Sequence, residues 1–355
     1  MLTAEGCKQR RERFWQNLGK AFSGDRVLLA DPHHLVYFAN FHVDPFSLGA
    51  DFGGLLELRR DGSATLWYDN RLPKSVEEAH VDERKVVPWY DGQSPGKGPR
   101  RLAVSAAVPG RVHDRPGDEA ASSIFATVAG MRRQKYPDEI ALLKRCMAAG
   151  EAGFAWSRRG VQAGMTELDV YCEVNKACIK AAGQAAIVYG DFAVSPGPER
   201  RGGPPTNRVI QPGDMLILDY SVVIAGYRSD FTNTLVVGRE PTADQKRLYD
   251  LCISAMRAGE AQLKVGTPCQ TVFDAVDGAL RPAGIPHHAG HGLGLSHPEP
   301  PFFVRHSSET LLAGDVVTLE PGQYVAGTGG IRIENNYLIT DSGFECLSHH
   351  DIVLR

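Results

Sequence analysis

Apolar and polar positions follow two rhythms along this chain, and the rhythm changes near its first third. In residues 54–69, GLLELRR and then SATLWYD read as two strands turning at Asp61-Gly62, which predicts a hairpin with a two-residue loop. Residues 26–41 (RVLLADPHHLVYFANF) read as two strands broken at Asp31-Pro32, with further strand-like runs at 85–90 and 101–107 and a helical pattern at 117–133. Past residue 138 the period lengthens. Amphipathic helices are predicted over 139–158 and 243–264, the second opened by a Thr242/Gln245 capping box. A Thr166/Asp169 capping box opens a helix ending at Ala182-Gly183, and Gly266-Thr267-Pro268 precedes another ending at Ala283-Gly284.

Each pair of helices leads to a hairpin of the same construction. Residues 213–234, GDMLILDYSVVIAGYRSDFTNT, run from an apolar strand through Asp219 and a turn near Ala225-Gly226 to Asp230. Residues 314–335, GDVVTLEPGQYVAGTGGIRIEN, place Glu320 where the first has Asp219, and Glu334 where it has Asp230. A period of roughly 100 residues is too long for a solenoid and predicts two α/β halves related by a pseudo-twofold axis. The preceding segment is a separate α/β domain containing a polar Gly/Pro-rich loop at 93–100, and the boundary falls within RRQKYPD at 132–138. The expected division is 1–132 and 133–355. Histidines 33, 34, 42, 80 and 113 are scattered through the first part and read as surface or satisfied buried groups, although the loop 42–52 could line an active site.

Composition narrows the function classes. A net charge of −3 over 355 residues, with no basic stripe, argues against nucleic acid or an anionic membrane as partner. With 43% hydrophobic residues but no run of about 18 apolar positions, no membrane span is expected. The opening residues lack an apolar signal-peptide core. Seven cysteines without a CxxC pair predict free thiols in a reducing cytoplasm.

If the two hairpins face each other, Asp219, Asp230, Glu320 and Glu334 converge in a partly buried space. Mutual repulsion and desolvation would then drive several of them to protonate. Two divalent cations would offset that charge, and hard carboxylates with an imidazole suit Mn, Co, Fe or Zn. HHAGHGLGLSH at 287–297 lies between the hairpins and supplies imidazoles, its glycines letting backbone crowd the centre. Taken singly, an aspartate at a strand end is usually a turn residue, and this glycine loop misses the GxGxxG spacing of a dinucleotide site. His349 and His350 read as surface or core.

LILDYS with SDFTNT, then GHGLGL, TLEPG and GIRIEN, in this order, resemble the motifs of the pita-bread metallopeptidases, within them the Xaa-Pro aminopeptidase and prolidase group with its creatinase-like members. The match covers about 135–355, while residues 1–130 resemble a creatinase-type N-terminal domain in length and pattern. The resemblance implies two divalent metal ions, foremost manganese, with Asp219 on one metal, Asp230 and Glu334 bridging, and His291 with Glu320 completing the second. Thr232 would assist near the first. It also implies that a bridging hydroxide attacks the scissile carbonyl. His287 and His297 would stabilise the oxyanion or shuttle protons, Glu320 would act as general base and Arg332 would lie near substrate. The implied activity is hydrolysis of the amide bond before proline in a short peptide, by a cytoplasmic homodimer in which one subunit's N-terminal domain helps close the other's site. Three departures stand out. Gly202 occupies a position where relatives usually have histidine, the His291–His297 spacing is one residue short, and Asn233 replaces an arginine. They leave open a small-molecule amide or amidine hydrolase, or a related creatinase-like enzyme; a non-catalytic peptide-binding module is disfavoured by the intact ligand set.

Overall fold

The computed structural model describes residues 1–19, 22–42, 53–71, 73–94 and 98–355. The loop 42–52 singled out above lies almost wholly outside the described residues. Contacts divide the chain into two compact units, Met1–Arg132 with Tyr136–Leu142, and Arg133–Lys135 with Leu143–Arg355.

The first unit contains helices α1 (Ala4–Leu18) and α2 (Pro32–Ala39), strands β1 (Arg26–Leu29), β2 (Gly54–Arg59), β3 (Ala64–Asp69) and β4 (Glu83–Val87), and helices α3 (Pro73–Glu77), α4 (Arg100–Ala107) and α5 (Ala121–Arg133). Its sheet runs β1-β2-β3-β4, with the last pair parallel. Two stretches expected as strands are helical. Residues 32–39 form α2 because Asp31 caps it, accepting from the His33 N–H, and Pro32 occupies the first turn where its missing N–H costs nothing. Residues 100–107 form α4, which packs on β2 and β3. The β2–β3 hairpin is present, but its loop has one residue more than expected. The Arg59 N–H donates to the Ser63 carbonyl at 3.0 Å, which leaves Arg60, Asp61 and Gly62 between them, with Gly62 at φ +90°.

Helix α6 (Pro137–Gly160) leads into the second unit, which continues through α7 (Glu167–Ala182), β5 (Ile187–Val194), β6 (Met215–Ile224), β7 (Tyr227–Arg228) and β8 (Phe231–Val236). Then come α8 (Ala243–Glu260), α9 (Cys269–Ala279), β9 (Gly290–Gly292), β10 (Glu299–Phe303), β11 (Val316–Leu319), β12 (Gly322–Val325), β13 (Gly329–Arg332), β14 (Asn335–Thr340) and β15 (Gly343–Cys346). Both expected capping boxes form, at Thr166/Asp169 and Thr242/Gln245, each contributing about 1 kcal/mol to its helix. The helix before Gly284 ends earlier than its sequence suggests, at Ala279.

One sheet runs β5-β6-β7 with β8 also on β6, a second β10-β9-β11-β14-β15, and β12-β13 form a ribbon. Helices α8 and α9 bury Leu248, Val272 and Val276 against Val317, Leu319 and Ile331, so the core backs directly onto the second hairpin. This is the mixed α/β, pita-bread arrangement expected of the chain's second part. All seven cysteines are free, and burial pushes the thiols of Cys146, Cys178 and Cys252 up to about 12. Among the described residues no helix is long and apolar enough to cross a membrane.

Candidate metal centre

The two hairpins supply the site from equivalent strands but not from the positions their sequences suggest. In the first, β6 sets Asp219 opposite Thr232 on β8 and opposite Asp191 on β5. In the second, Leu319 pairs with Asn335 and Gly322 with Arg332, so the register sets Glu320 opposite Glu334. Superposing Asp219 on Glu320 therefore makes Thr232 the counterpart of Glu334, and Asp230 the counterpart of Arg332. The one-to-one match of Asp230 with Glu334 read from sequence, offset by 104 against 101 for Asp219 and Glu320, needs three extra residues in the second turn; it has one, since Val325 pairs with Gly329 while Ile224 pairs with Tyr227.

The carboxylates still meet. Asp219, Asp230 and Glu334 form one group, His288, His291 and Glu320 a second, and Asp230, His291 and His297 a third. Within each group the ligand atoms lie within 4.8 Å of one another. Backbone contacts hold the bearers in place. The Glu334 N–H donates to the Thr232 carbonyl at 3.0 Å and the Glu320 N–H to the Ala289 carbonyl at 3.0 Å. Asn336 brackets Asp230, accepting its N–H at 3.3 Å and donating to its carbonyl. Gly290, at φ +157°, allows β9 to lie against β11, since a Cβ there would stand 2.0 Å from the Thr318 carbonyl oxygen.

The donor set fits divalent metal. The His291 Nδ1–H donates to the Gly292 carbonyl at 2.9 Å, leaving the Nε2 lone pair 3.5 Å from both Asp230 Oδ2 and Glu320 Oε1. A lone pair facing two carboxylates is repulsive until a cation stands between them. Glu334 Oε2 accepts the Thr232 hydroxyl at 2.7 Å, but Oε1 is buried without a partner, a costly arrangement for a carboxylate. Burial, then Asp230, Glu320 and Asp219, drives Glu334 well above the ordinary carboxylate range. Burial raises Asp219 as well, against the pull of Arg332 and with help from Asp230 and Asp191. These are the signs of negative charge gathered for a cation.

The histidines divide in role. His297 places Nε2 2.7 Å from Asp230 Oδ2 despite the shortened spacing, and this contact outweighs burial to raise its pKa. The loop that delivers it is fixed by Glu299, whose carboxylate accepts the Ser296 N–H at 3.2 Å and pairs with buried Lys135 at 2.8 Å. His287 donates Nδ1–H to the His288 carbonyl at 2.7 Å, and burial holds it below the ordinary imidazole range and therefore neutral at pH 7. His288, quoted in the sequence motif without a role, lies with Nε2 2.8 Å from Glu320 Oε1, off the line of a well-formed hydrogen bond. That contact raises His288. Burial alone would raise Glu320, but the contact with His288 holds it low.

Arg332 is engaged on every side. Nε donates to Asp219 Oδ2 at 2.7 Å, Nη2 to Asp191 Oδ2 at 2.6 Å, and Nη1 to the Tyr324 hydroxyl at 2.8 Å and the Arg201 carbonyl at 3.1 Å. Sequence reasoning passed over Asp191, Tyr324 and Arg201, which reach the site from other elements; the one available signal was that Arg201 precedes the anomalous Gly202. That glycine has a physical cause. It sits at φ +155°, and a Cβ would fall 1.9 Å from Asp191 Oδ2, so Asp191 fills the space a side chain at 202 would need. Asn233 serves the fold instead, its side chain exchanging hydrogen bonds with the Val353 backbone at 2.9 and 3.1 Å. The predicted ligands, His287, His297 and Arg332 all line one cavity of about 400 Å³.

The sequence profile of metallopeptidase family M24 matches residues 141–341, more than half of the chain. The chain belongs to metallopeptidase family M24. This M24 chain is 29% identical over 235 residues to an uncharacterized peptidase of Staphylococcus aureus strain USA300, covering 63% of the chain and 65% of that relative. The chain thus spans just under two thirds of the length of the curated relatives it matches. It is similar in structure to a prolidase from Thermococcus sibiricus, with TM-score 0.77, 26% identity, and 98% of each chain covered. It also resembles an Xaa-Pro dipeptidase from Bacillus anthracis, with TM-score 0.76, 23% identity, and 98% of this chain and 100% of that one covered. At its lower identity the second likeness speaks for the fold alone.

Proposed function

We propose that this M24 chain is a metal-dependent peptidase that hydrolyses the amide bond before proline in short peptides, as a prolidase or Xaa-Pro aminopeptidase does. The observation that carries the reading is the unpartnered, buried Glu334 Oε1 among Asp219, Asp230, Glu320 and the Nε2 of His291. Family membership and the likeness to a Thermococcus sibiricus prolidase support it. Asp219, Asp230, His291, Glu320 and Glu334 would hold two divalent ions, manganese foremost. When bound, such ions polarise a carbonyl and supply a nucleophilic oxygen near neutral pH.

The chain's own residues do the rest. Glu320 is the general base, placed beside His288, whose contact keeps it ionised. His297, at the edge of the cavity, presents Nε2 to move a proton toward the departing prolyl nitrogen. Neutral His287, its Nδ1–H committed to the His288 carbonyl, presents a lone pair at Nε2, 3.4 Å from the Tyr324 hydroxyl, and so serves as a proton acceptor in the cavity. Arg332 fixes the orientation of Asp219. Tyr189, Tyr324 and Pro298 line the same cavity and offer apolar surface to a prolyl ring. Residues 1–132 form a creatinase-type domain and 133–355 the catalytic domain of a cytoplasmic homodimer whose N-terminal domain closes the partner's site.

A panel of Xaa-Pro dipeptides and Xaa-Pro-peptides, assayed with Mn, Co, Zn or Fe added to stripped protein, tests this. Metal-dependent release of the first residue is expected, and absence of turnover on every peptide sinks the reading. The lack of any side chain at Gly202 favours a second reading, a small-molecule amide or amidine hydrolase, and the same assay with such substrates separates the two.

A further inference from the structure

Two guanidinium groups line the cavity, and they are in opposite states. Arg332 is 8% exposed and every nitrogen of its guanidinium is engaged by Asp219, Asp191, Tyr324 or the Arg201 carbonyl. Nη2 also pairs with Asp219, so these nitrogens are committed inside the protein and not to an incoming anion. Arg201 is exposed to the cavity, and among the described residues no carboxylate forms an ion pair with it. Its guanidinium carbon lies 5.5 Å from the Tyr324 ring centroid, and Nη1 reaches only the Pro286 carbonyl, at 3.4 Å.

The main chain at this point is anchored. Arg332 Nη1 donates to the Arg201 carbonyl while its Nε holds Asp219, so a single guanidinium joins Arg201 to the metal-ligand candidate. The next residue, Gly202, lies at φ +155°, which disfavours a side chain, and the Asp191 carboxylate occupies the place a Cβ would take. Position 202 thus contributes nothing to substrate, and the neighbouring Arg201 is the cation that reaches the cavity instead.

We propose that Arg201 is a specificity-determining residue that binds the free carboxylate of a dipeptide, which makes the site a dipeptidase rather than an aminopeptidase acting on longer chains. This rests on the proposed hydrolysis of the bond before proline. A carboxylate entering a cavity that already holds Asp191, Asp219, Asp230, Glu320 and Glu334 needs a cation not committed elsewhere, and Arg201 meets that need. A peptide extended beyond proline presents a neutral amide at the same place. The planar face on Tyr324 leaves the edge of the guanidinium free to take two carboxylate oxygens side by side.

The test compares kcat/KM for Ala-Pro and for Ala-Pro amide in the metal-loaded protein, its Arg201→Ala variant and its Arg201→Lys variant. Dissociation constants for both compounds are measured by calorimetry. Wild type should favour the free carboxylate by about tenfold or more, the scale of a charge-assisted pair. In Arg201→Ala the ratio should fall toward one through a higher KM for Ala-Pro, and Arg201→Lys should restore part of it. A ratio unchanged in Arg201→Ala, or a wild type that treats the two alike, overturns the assignment. A wild type that binds Ala-Pro more tightly than the amide through Arg201, yet cleaves neither, supports Arg201 while overturning the hydrolytic reading.

Discussion

The two hairpins of the second unit are built alike and charged differently. In the first, β6 is a single strand of ten residues that pairs with β5 on one side and with β7 and β8 on the other. In the second, the equivalent strand stops at Leu319 and resumes at Gly322, and each piece belongs to a different sheet. At matched register positions Asp219 faces Glu320, but Asp230 corresponds to Arg332 and Thr232 to Glu334. The repeat therefore supplies a scaffold, and each half fills it with complementary chemistry. Arg332 of the second reaches back to Asp219 of the first, and Thr232 of the first donates to Glu334 of the second. One site results, shared between halves, instead of two copies.

The comparison breaks most visibly at the position held to be shared. Glu334→Gln should abolish loading of both metals and cut activity by more than about a hundredfold, beyond the loss expected for an outer partner. Metal analysis by mass spectrometry checks the first and peptide turnover the second; two tightly held ions in this variant would refute the bridging role. The metal-free protein should respond in the opposite direction. Burial and the neighbouring carboxylates raise Glu334 in the folded state above its unfolded value. Its ionisation on unfolding therefore costs the metal-free fold stability as pH rises above about 4.5. The thermal midpoint of the stripped wild type should rise as pH falls from 8 toward 5, and Glu334→Gln should flatten that slope.

Arg332 comes next. Arg332→Lys keeps a charge but cannot hold Asp219, Asp191, Tyr324 and the Arg201 carbonyl at once, because an ammonium lacks the planar fork. A fall of about ten- to a hundredfold in kcat/KM is expected, with loss at the Asp219 metal preceding loss at the other. Equal loss at both would mean that Arg332 organises the whole centre.

Thr232→Val probes the opposite crossing contact at nearly constant volume. It leaves Glu334 Oε2 without its 2.7 Å partner inside the protein, and metal affinity should fall about tenfold. Isothermal titration measures it, and an unchanged affinity would reduce Thr232 to packing.

Much of this arrangement was readable from residue order, for physical reasons that can be located. Helix starts at Thr166 and Thr242 were legible because a capping box is local, and the hairpins because Asp219 and Glu320 end apolar runs at equal distances from Gly213 and Gly314. Register was not. RSD and RIE look like equivalents, but that match needs three extra residues in the second turn where there is one, and only hydrogen bonds across the strands reveal it. Helix α2 was missed because LVYF has strong strand propensity, although Asp31-Pro32 carried a helix-start signal. Asp191, Arg201, His288 and Tyr324 acquire their roles only by tertiary approach. Gly202, conspicuous as a missing histidine, turns out to be required by Asp191.

The smallest effect belongs to the break itself. Pro321 has no N–H, so it accepts from Ile333 at 3.2 Å without returning a bond, and the proline is the obvious cause of the split between β11 and β12. Yet the Glu320 N–H already leaves the hairpin for the Ala289 carbonyl, on the segment entering β9. If that tie sets the position of Glu320, then Pro321→Ala adds a donor opposite Ile333 and removes a rigid residue from the unfolded chain. The two changes oppose each other, and stability should move by less than about 1 kcal/mol, with metal affinity changed less than by Thr232→Val. Chemical denaturation and metal titration decide it. A larger loss of metal would mean that the proline, and not the neighbouring strand, aims Glu320 into the site, and the two hairpins would then differ by one residue's covalent geometry.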